Sequence, residues 1–293
     1  MQNARRYVGL LLTLALVFAV VALTGCGGQT SSSSSSSSTT GSTTTAPPKL
    51  VKAGVITVGS DTAFQPFESL NGATAEGFDV DLINAIAKEM GMTVNFTSQK
   101  FDTLIPQLKA GGTFDVILSG MTITPERQKE ITFSAPYIDS NQSIAVVTGK
   151  FAKVDGNDAA AIDKEFAGKI IGVQSGTTGE AWAKENIKSA KAITPFDDTL
   201  AAFSALNAGK VDAVVNDLPV SAYLVSTSYK GDSLIAEIPT GEQYGIGIAQ
   251  SNPELKAAID AALAKVRSSG EYNKIYQKWF GAPLPMDQLN AKV

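Results

Sequence analysis

One local pattern occurs twice in this chain, and it limits the fold more than any other feature. Asp102-Thr103-Leu104 opens an apolar helical stretch that stops at Ala110-Gly111 and runs into Asp115-Val116-Ile117. Asp198-Thr199-Leu200 opens a second that stops at Ala208-Gly209 and runs into Asp212-Ala213-Val214-Val215. Each reads as a helix ended by glycine and followed by a buried β-branched strand. The spacing differs between the copies, so the echo points to two similarly built lobes and not to a strict repeat.

Strands and helices alternate around these units. Val55–Gly59 is a short β-branched run, and Asp79–Met90 carries Val80, Ile83, Ile86, Ala87 and Met90 at helical spacing before Gly91. Val94–Phe96, Phe101–Lys109 and Phe114–Leu118 read as strand, helix and strand. Lys169–Val173 is a strand leading through Ser175-Gly176-Thr177-Thr178 to a helix, and the chain closes with Tyr244–Ala249 and helices over Pro253–Ser268 and Gly270–Phe280. This order predicts an α/β layered fold with largely parallel sheets. Two such lobes would meet at a cleft, because open α/β sheets bind ligands beyond the carboxyl ends of their strands. Asp79 and Asp81 are expected to cap and charge the start of their helix.

The first 48 residues do not belong to that pattern. Arg5-Arg6 precede an apolar run, Val8–Leu23, which ends in Leu23-Thr24-Gly25-Cys26. A basic segment, a short apolar segment and small residues describe a secretory signal peptide over 1–25. An uncleaved anchor is the alternative, although about 20 apolar residues are needed to cross a bilayer. Leu-Thr-Gly-Cys resembles the bacterial lipobox, which would make Cys26 the lipidated first residue of the mature chain. Cys26 is the only cysteine, so no internal disulfide can form. Residues 26–48, with the serine run 31–38 and Pro47-Pro48, cannot bury enough apolar surface to fold and read as a disordered Ser/Thr-rich tether.

Composition narrows the chemistry. The chain contains no histidine, which excludes Ser-His-Asp and Cys-His catalysis and leaves no imidazole for a metal. No EF-hand, P-loop or dinucleotide-binding glycine motif is present, so no metal and no cofactor are expected. Without residues 1–25 the chain carries 22 basic and 28 acidic residues, a net charge of −6, which argues against nucleic acid. Tyrosines, lysines and carboxylates could still move protons.

What remains suits a zwitterion. Arg127 can hold a carboxylate through a planar fork, and Thr122 and Thr178 can add donors. Asp217, just past a buried strand, can pair with an ammonium. Phe64 and Phe101 can sandwich a side chain. Each has a plainer reading: a surface arginine, helix caps at Thr178 and Asp217, and core phenylalanines. Glu68 is ambiguous.

These residues carry a resemblance. VGSDTAFQPFES (58–69), GFDVDLINAIAKEMG (77–91), SGMTITPERQKEITFSAPY (119–137), GVQSGTTGE (172–180), VDAVVNDLP (211–219) and EYNKIYQKWFG (271–281) resemble the periplasmic amino-acid-binding proteins of ABC importers, the family 3 extracellular solute-binding proteins. The resemblance runs in order from about 50 to 284. It implies a two-lobed Venus-flytrap fold with lobe one over 49–139 and 244–293 and lobe two over 140–243, joined by crossover strands near Asp139–Val146 and Glu237–Tyr244. It also implies a monomeric, exported, lipid-anchored receptor, facing the periplasm or the exterior, that delivers an L-amino acid to a membrane permease.

Carried over by position, Gly120 and Thr122 in the turn beginning at Ser119 would bind the ligand α-carboxylate with Arg127, and Thr178 would add a contact from lobe two. Asp217 would bind the α-ammonium, Phe64 and Phe101 would bracket the side chain, and Asp61 would face its far end. Gln174, in the GVQSGTTGE motif, stands where the glutamine binders carry lysine, and Asn216 where they carry histidine. Gly176-Thr177-Thr178 is closer to the cationic amino-acid binders. The ligand expectation is therefore arginine, then glutamine. The rivals are a dehydratase acting on prephenate-like acids on the same fold, and a sensor domain with the same binding chemistry.

Overall fold

Two five-stranded sheets organise the protein: the first takes its strands from two separated parts of the chain, the second from the continuous stretch between them. The computed structural model describes residues 47–281. The signal-peptide reading of 1–25, the lipidation of Cys26 and almost all of the tether reading of 26–48 lie outside the described residues. In chain order the elements begin with β1 (Val55–Ser60), β2 (Ala63–Phe64), β3 (Glu68–Asn71), β4 (Thr74–Glu76), α1 (Phe78–Glu89) and β5 (Thr93–Ser98). Next come α2 (Leu104–Ala110), β6 (Val116–Ile117), α3 (Pro125–Glu130), β7 (Thr132–Phe133) and the long β8 (Ile138–Val147). The second sheet follows with α4 (Ala159–Glu165), β9 (Ile170–Gln174), α5 (Thr178–Asn186), β10 (Ala192–Phe196), α6 (Thr199–Asn207), β11 (Ala213–Asp217) and α7 (Leu218–Thr227). The chain returns along β12 (Asp232–Tyr244) to β13 (Gly247–Ile248), α8 (Pro253–Ser268) and α9 (Glu271–Phe280).

The first sheet has the order β5-β1-β6-β13-β7, the second β10-β9-β11-β8-β12. The expectation of largely parallel sheets holds for half of each. β1 is parallel to β5 and β6, and β9 to β10 and β11, whereas β13 and β8 run antiparallel to their neighbours. A parallel neighbour needs a crossover helix, but β13 arrives directly from β12 and can pair without one. The helix expected over 101–109 is divided into a single 3₁₀ turn at Phe101–Thr103 and α2.

Both long strands connect the two halves. β8 and β12 pair in the second sheet, shift register between Ile238 and Glu242, and continue to Ser140↔Glu242 and Ile138↔Tyr244. At that end β12 meets the loop after β6, where Ile123 N–H donates to Gln243 O at 2.8 Å and Gly245 N–H to Met121 O at 3.0 Å.

The core lies against α1: of the positions expected from periodicity Val80, Ile83, Ile86 and Ala87 are buried and Met90 is partly exposed, and Phe78 and Leu82 are fully buried beside them, each large apolar side chain contributing on the order of 2 kcal/mol. The helix starts at Gly77 (φ 146°), where a Cβ would sit 1.9 Å from Phe67 O, so only glycine fits. That start corrects the capping part of the expectation for Asp79 and Asp81, although both do stand in the first turn. No side chain caps α1. Asp79 is fully buried beneath the loop after β6, and Asp81 accepts from Lys278 Nζ at 2.7 Å and Trp279 Nε1 at 2.6 Å. Caps do form where threonine or aspartate precedes α3, α5 and α6: Thr124 accepts from Arg127 N, Thr177 from Glu180 N and Asp198 from Ala201 N, each stabilising its helix by about 1 kcal/mol. An aromatic pile of Phe67, Phe78, Tyr137, Tyr244, Tyr272 and Phe280 fills the space below the strand ends. Among the described residues no helix is long and apolar enough to cross a membrane.

Candidate functional site

The carboxyl ends of the parallel strands in the two sheets face one another, and the segments leaving them bring most of the expected residues together. β1 ends beside Asp61, whose N–H donates to Ser119 Oγ at 2.9 Å. β6 leads into Ser119-Gly120-Met121-Thr122, a turn in which Gly120 has φ 51°. A Cβ on Gly120 would lie 2.6 Å from the Phe64 ring, so glycine is needed for both its backbone and its neighbour.

The turn is fixed from below by acids. Gly120 N–H donates to Asp79 Oδ2 at 3.1 Å, and Tyr137 OH to the same oxygen at 2.7 Å. Ser119 Oγ donates to Glu68 Oε1 at 3.1 Å. The other oxygens, Glu68 Oε2 and Asp79 Oδ1, are buried with no donor from the rest of the described residues. Burial first, and then the Asp79 charge, pushes the Glu68 carboxyl well above its usual range; burial also raises Asp79. A protonated Glu68 donating to Asp79 satisfies both oxygens. The N–H of Gly120 is thus engaged within the protein.

Arg127 lies in α3 and spans the cleft. Its Nη1 donates to Thr122 O at 2.8 Å, its Nη2 donates to Gly176 O at 3.1 Å, and its guanidinium lies over Phe101 with 5.3 Å to the ring centroid. Phe101 is thereby a platform for Arg127. Gly176, in the β9–α5 loop, packs so closely on the opposite side that a Cβ there would be 3.0 Å from Asp102 Cβ.

Asp217 ends β11. It stands at the start of α7 but caps nothing with its side chain. Its carboxylate accepts instead from Gln142 Nε2 at 2.6 Å and from Tyr244 OH. Burial, with the Glu242 charge second, pushes Asp217 up to about 7, while the hydrogen bonds from Tyr244 and Gln142 and the Arg127 charge oppose the rise. Thr178 opens α5, and the capping hydroxyl belongs to Thr177, so the Thr178 hydroxyl is free to act elsewhere. It donates to Glu242 Oε2 at 2.7 Å, as does the Thr122 hydroxyl.

At the far end, Asp61 Oδ2 accepts from Gln174 Nε2, and Gln174 Oε1 accepts from Thr199 Oγ1 at 2.9 Å. Burial pushes Asp61 up to about 6, and the charges of Asp198 and Asp102 add to the rise. This end of the cleft is therefore rich in carboxylates.

Sequence reasoning missed Gln142, Tyr244 and Glu242. Gln142 left a trace, as a polar residue two positions before the apolar run Ile144–Val147; Glu242 left none. Glu68 and Asp79 emerge as supports of the turn.

Comparisons with known proteins identify the family. The family model for bacterial extracellular solute-binding proteins, family 3, matches residues 56–282. The chain is 34% identical over 233 residues to the putative ABC transporter arginine-binding protein 2 of Escherichia coli, covering 78% of this chain and 91% of that protein. It is 35% identical over 275 residues to a probable histidine-binding protein of Neisseria gonorrhoeae, covering 91% and 93%. Among solved structures, an ancestral arginine-binding protein bound to glutamine superposes with a TM-score of 0.72 at 38% identity, covering 79% of this chain and all of that one.

Proposed function

The chain belongs to the bacterial extracellular solute-binding proteins, family 3, and from that we propose that it captures a polar L-amino acid by closing its cleft and passes it to an ABC permease. Arginine is the proposed ligand, with glutamine second. The observation that carries this reading is the meeting of Arg127, Thr122, Thr178 and Asp217, drawn from both halves of the molecule, around one point of the cleft. Arg127 and the two threonines would take the α-carboxylate, and Asp217 the α-ammonium. The carboxylate-rich end at Asp61 supports a guanidinium, whose charge would relieve the repulsion of Asp61 by Asp198 and Asp102. Relatives named for arginine and histidine binding, and one solved with glutamine, support the same ligand class.

In this reading the lobes are 49–139 with 244–293 and 140–243, and contacts from both to one ligand select the closed state. The protein is a monomeric receptor without turnover, held to the outer face of a membrane by lipid on Cys26. A thermal-shift screen of the mature protein against the common amino acids tests the ligand. A ligand that binds only the folded form at 100 times its dissociation constant adds about 2.7 kcal/mol of stability. Arginine should give the largest rise in Tm; no response to any amino acid would overturn the reading. Cys26→Ala should release the protein from the membrane fraction.

A further inference from the structure

The Glu242 carboxylate sits where the proposed function needs a ligand's carboxylate. Its Oε2 accepts from Thr122 Oγ1 and Thr178 Oγ1, both at 2.7 Å, and its Oε1 accepts from Gln142 Nε2 and Thr240 Oγ1, both at 3.0 Å. Those four donors come from the loop after β6, the start of α5 and both long strands, so a single carboxylate ties together four segments from both sides of the cleft. The backbone explains the placement. The β8–β12 ladder shifts register between Ile238 and Glu242, with Gly241 at φ 65°, and such an irregularity re-aims the side chain that follows it.

A hydroxyl has one proton to donate. Thr122 and Thr178 cannot give theirs to Glu242 and to a bound amino acid at once. Nor would a second carboxylate be tolerated beside the first, since like charges a few ångströms apart repel strongly. Glu242 has a place to go: it is half-buried and borders an open groove between the two long strands and the start of α7, beside Asn141, Leu218 and Gly241.

We propose that Glu242 is an internal stand-in for the α-carboxylate of the ligand, holding the cleft together through Thr122 and Thr178 until an amino acid displaces it. This rests on the carboxylate site argued above. Its consequence is a receptor whose affinity is set by competition within its own chain. Were Glu242 in place nine-tenths of the time, apparent affinity would be lowered about tenfold.

The test compares wild type, Glu242→Ala and Glu242→Gln. In calorimetric titration, Glu242→Ala should bind L-arginine roughly tenfold more tightly than wild type. L-argininamide, which has no α-carboxylate, should gain nothing from the substitution. A purely structural role would weaken both ligands together. Equal or weaker arginine binding by folded Glu242→Ala, or an equal gain for argininamide, overturns the proposal.

A second readout needs no ligand. By small-angle scattering, ligand-free Glu242→Ala should have a larger radius of gyration than ligand-free wild type. If neither arginine nor glutamine binds any of the proteins, the amino-acid reading fails, and scattering still decides: no expansion overturns the stand-in. If Glu242→Ala does not fold, Glu242→Gln takes its place in both arms. It keeps the shape and loses the charge, so the same directions are expected with a smaller gain.

Discussion

The guanidinium of Arg127 reaches across the cleft to the carbonyl oxygen of Gly176, 3.1 Å from Nη2. The same group holds Thr122 O from its own side and lies on Phe101. One side chain thus reports on the contact across the cleft and on the proposed carboxylate site together.

Arg127→Ala should weaken every amino-acid ligand, whatever its side chain. Removing one partner of a buried, hydrogen-bonded charge pair costs about 2–5 kcal/mol, which is roughly 30-fold or more in affinity. Titration with arginine, glutamine and lysine would check this. Unchanged affinity for any ligand that binds the wild type would show that the carboxylate is held elsewhere.

The pH dependence of binding should follow Asp217. Its folded pKa is raised to about 7, and an ammonium favours the ionised form, so ligand uptake below that pH releases a proton. Affinity should therefore rise with pH by up to about tenfold per unit and level off above about 7. Asp217→Asn should bind glutamine, whose neutral side chain leaves Asp61 uncoupled, weakly and without that slope. A slope for glutamine that survives in the variant assigns the proton to another group.

Stability of the ligand-free protein should fall as pH rises from the acid side. Asp61, Asp217, Glu68 and Asp79 are all raised in the folded state. A raised carboxyl contributes stability that is complete below its unfolded pKa and is lost as pH rises through its folded value. For Asp61 and Asp217 the window runs from about pH 4 to the folded values of about 6 and about 7. Asp155 and Asp163, lowered by hydrogen bonds, act on the acid side of it. Urea midpoints should be higher at pH 5 than at pH 8. Glu68→Gln, which replaces the shared proton by an amide N–H, should lose less between the two; an equal loss would argue against the shared proton.

Asp61→Asn should change preference among ligands more than overall affinity. A neutral amide facing a guanidinium gives up a charge-assisted hydrogen bond, worth about twice a neutral one. Arginine should lose more affinity than glutamine in parallel titrations. Equal losses would place the ligand side chain away from Asp61.

Arg127, Thr122, Thr178 and Asp217 are legible as candidates because each sits at a grammatical point of the chain: after a strand, beside a glycine turn, or at a helix start. Local hydrogen bonding dictates those positions, so short stretches of sequence carry them. Asp79 was misread for the same reason, since an acid in a first helical turn looks like a charge for the helix dipole. The cap position was taken by Gly77, and packing of α1 turned Asp79 inward to the Gly120 N–H.

By itself the sequence determined the alternation of strands and helices, the two echoed units and the residue types suited to a zwitterion. These depend on periodicity and capping, which act over a few residues. The tertiary structure decided that the sheets would be mixed, that Glu68 and Asp79 would share the space beneath one turn, and that Glu242 would meet Thr122 and Thr178. Those contacts join residues up to 120 positions apart. No local preference encodes them; those of Glu242 exist because two long strands carry one half of the chain against the other.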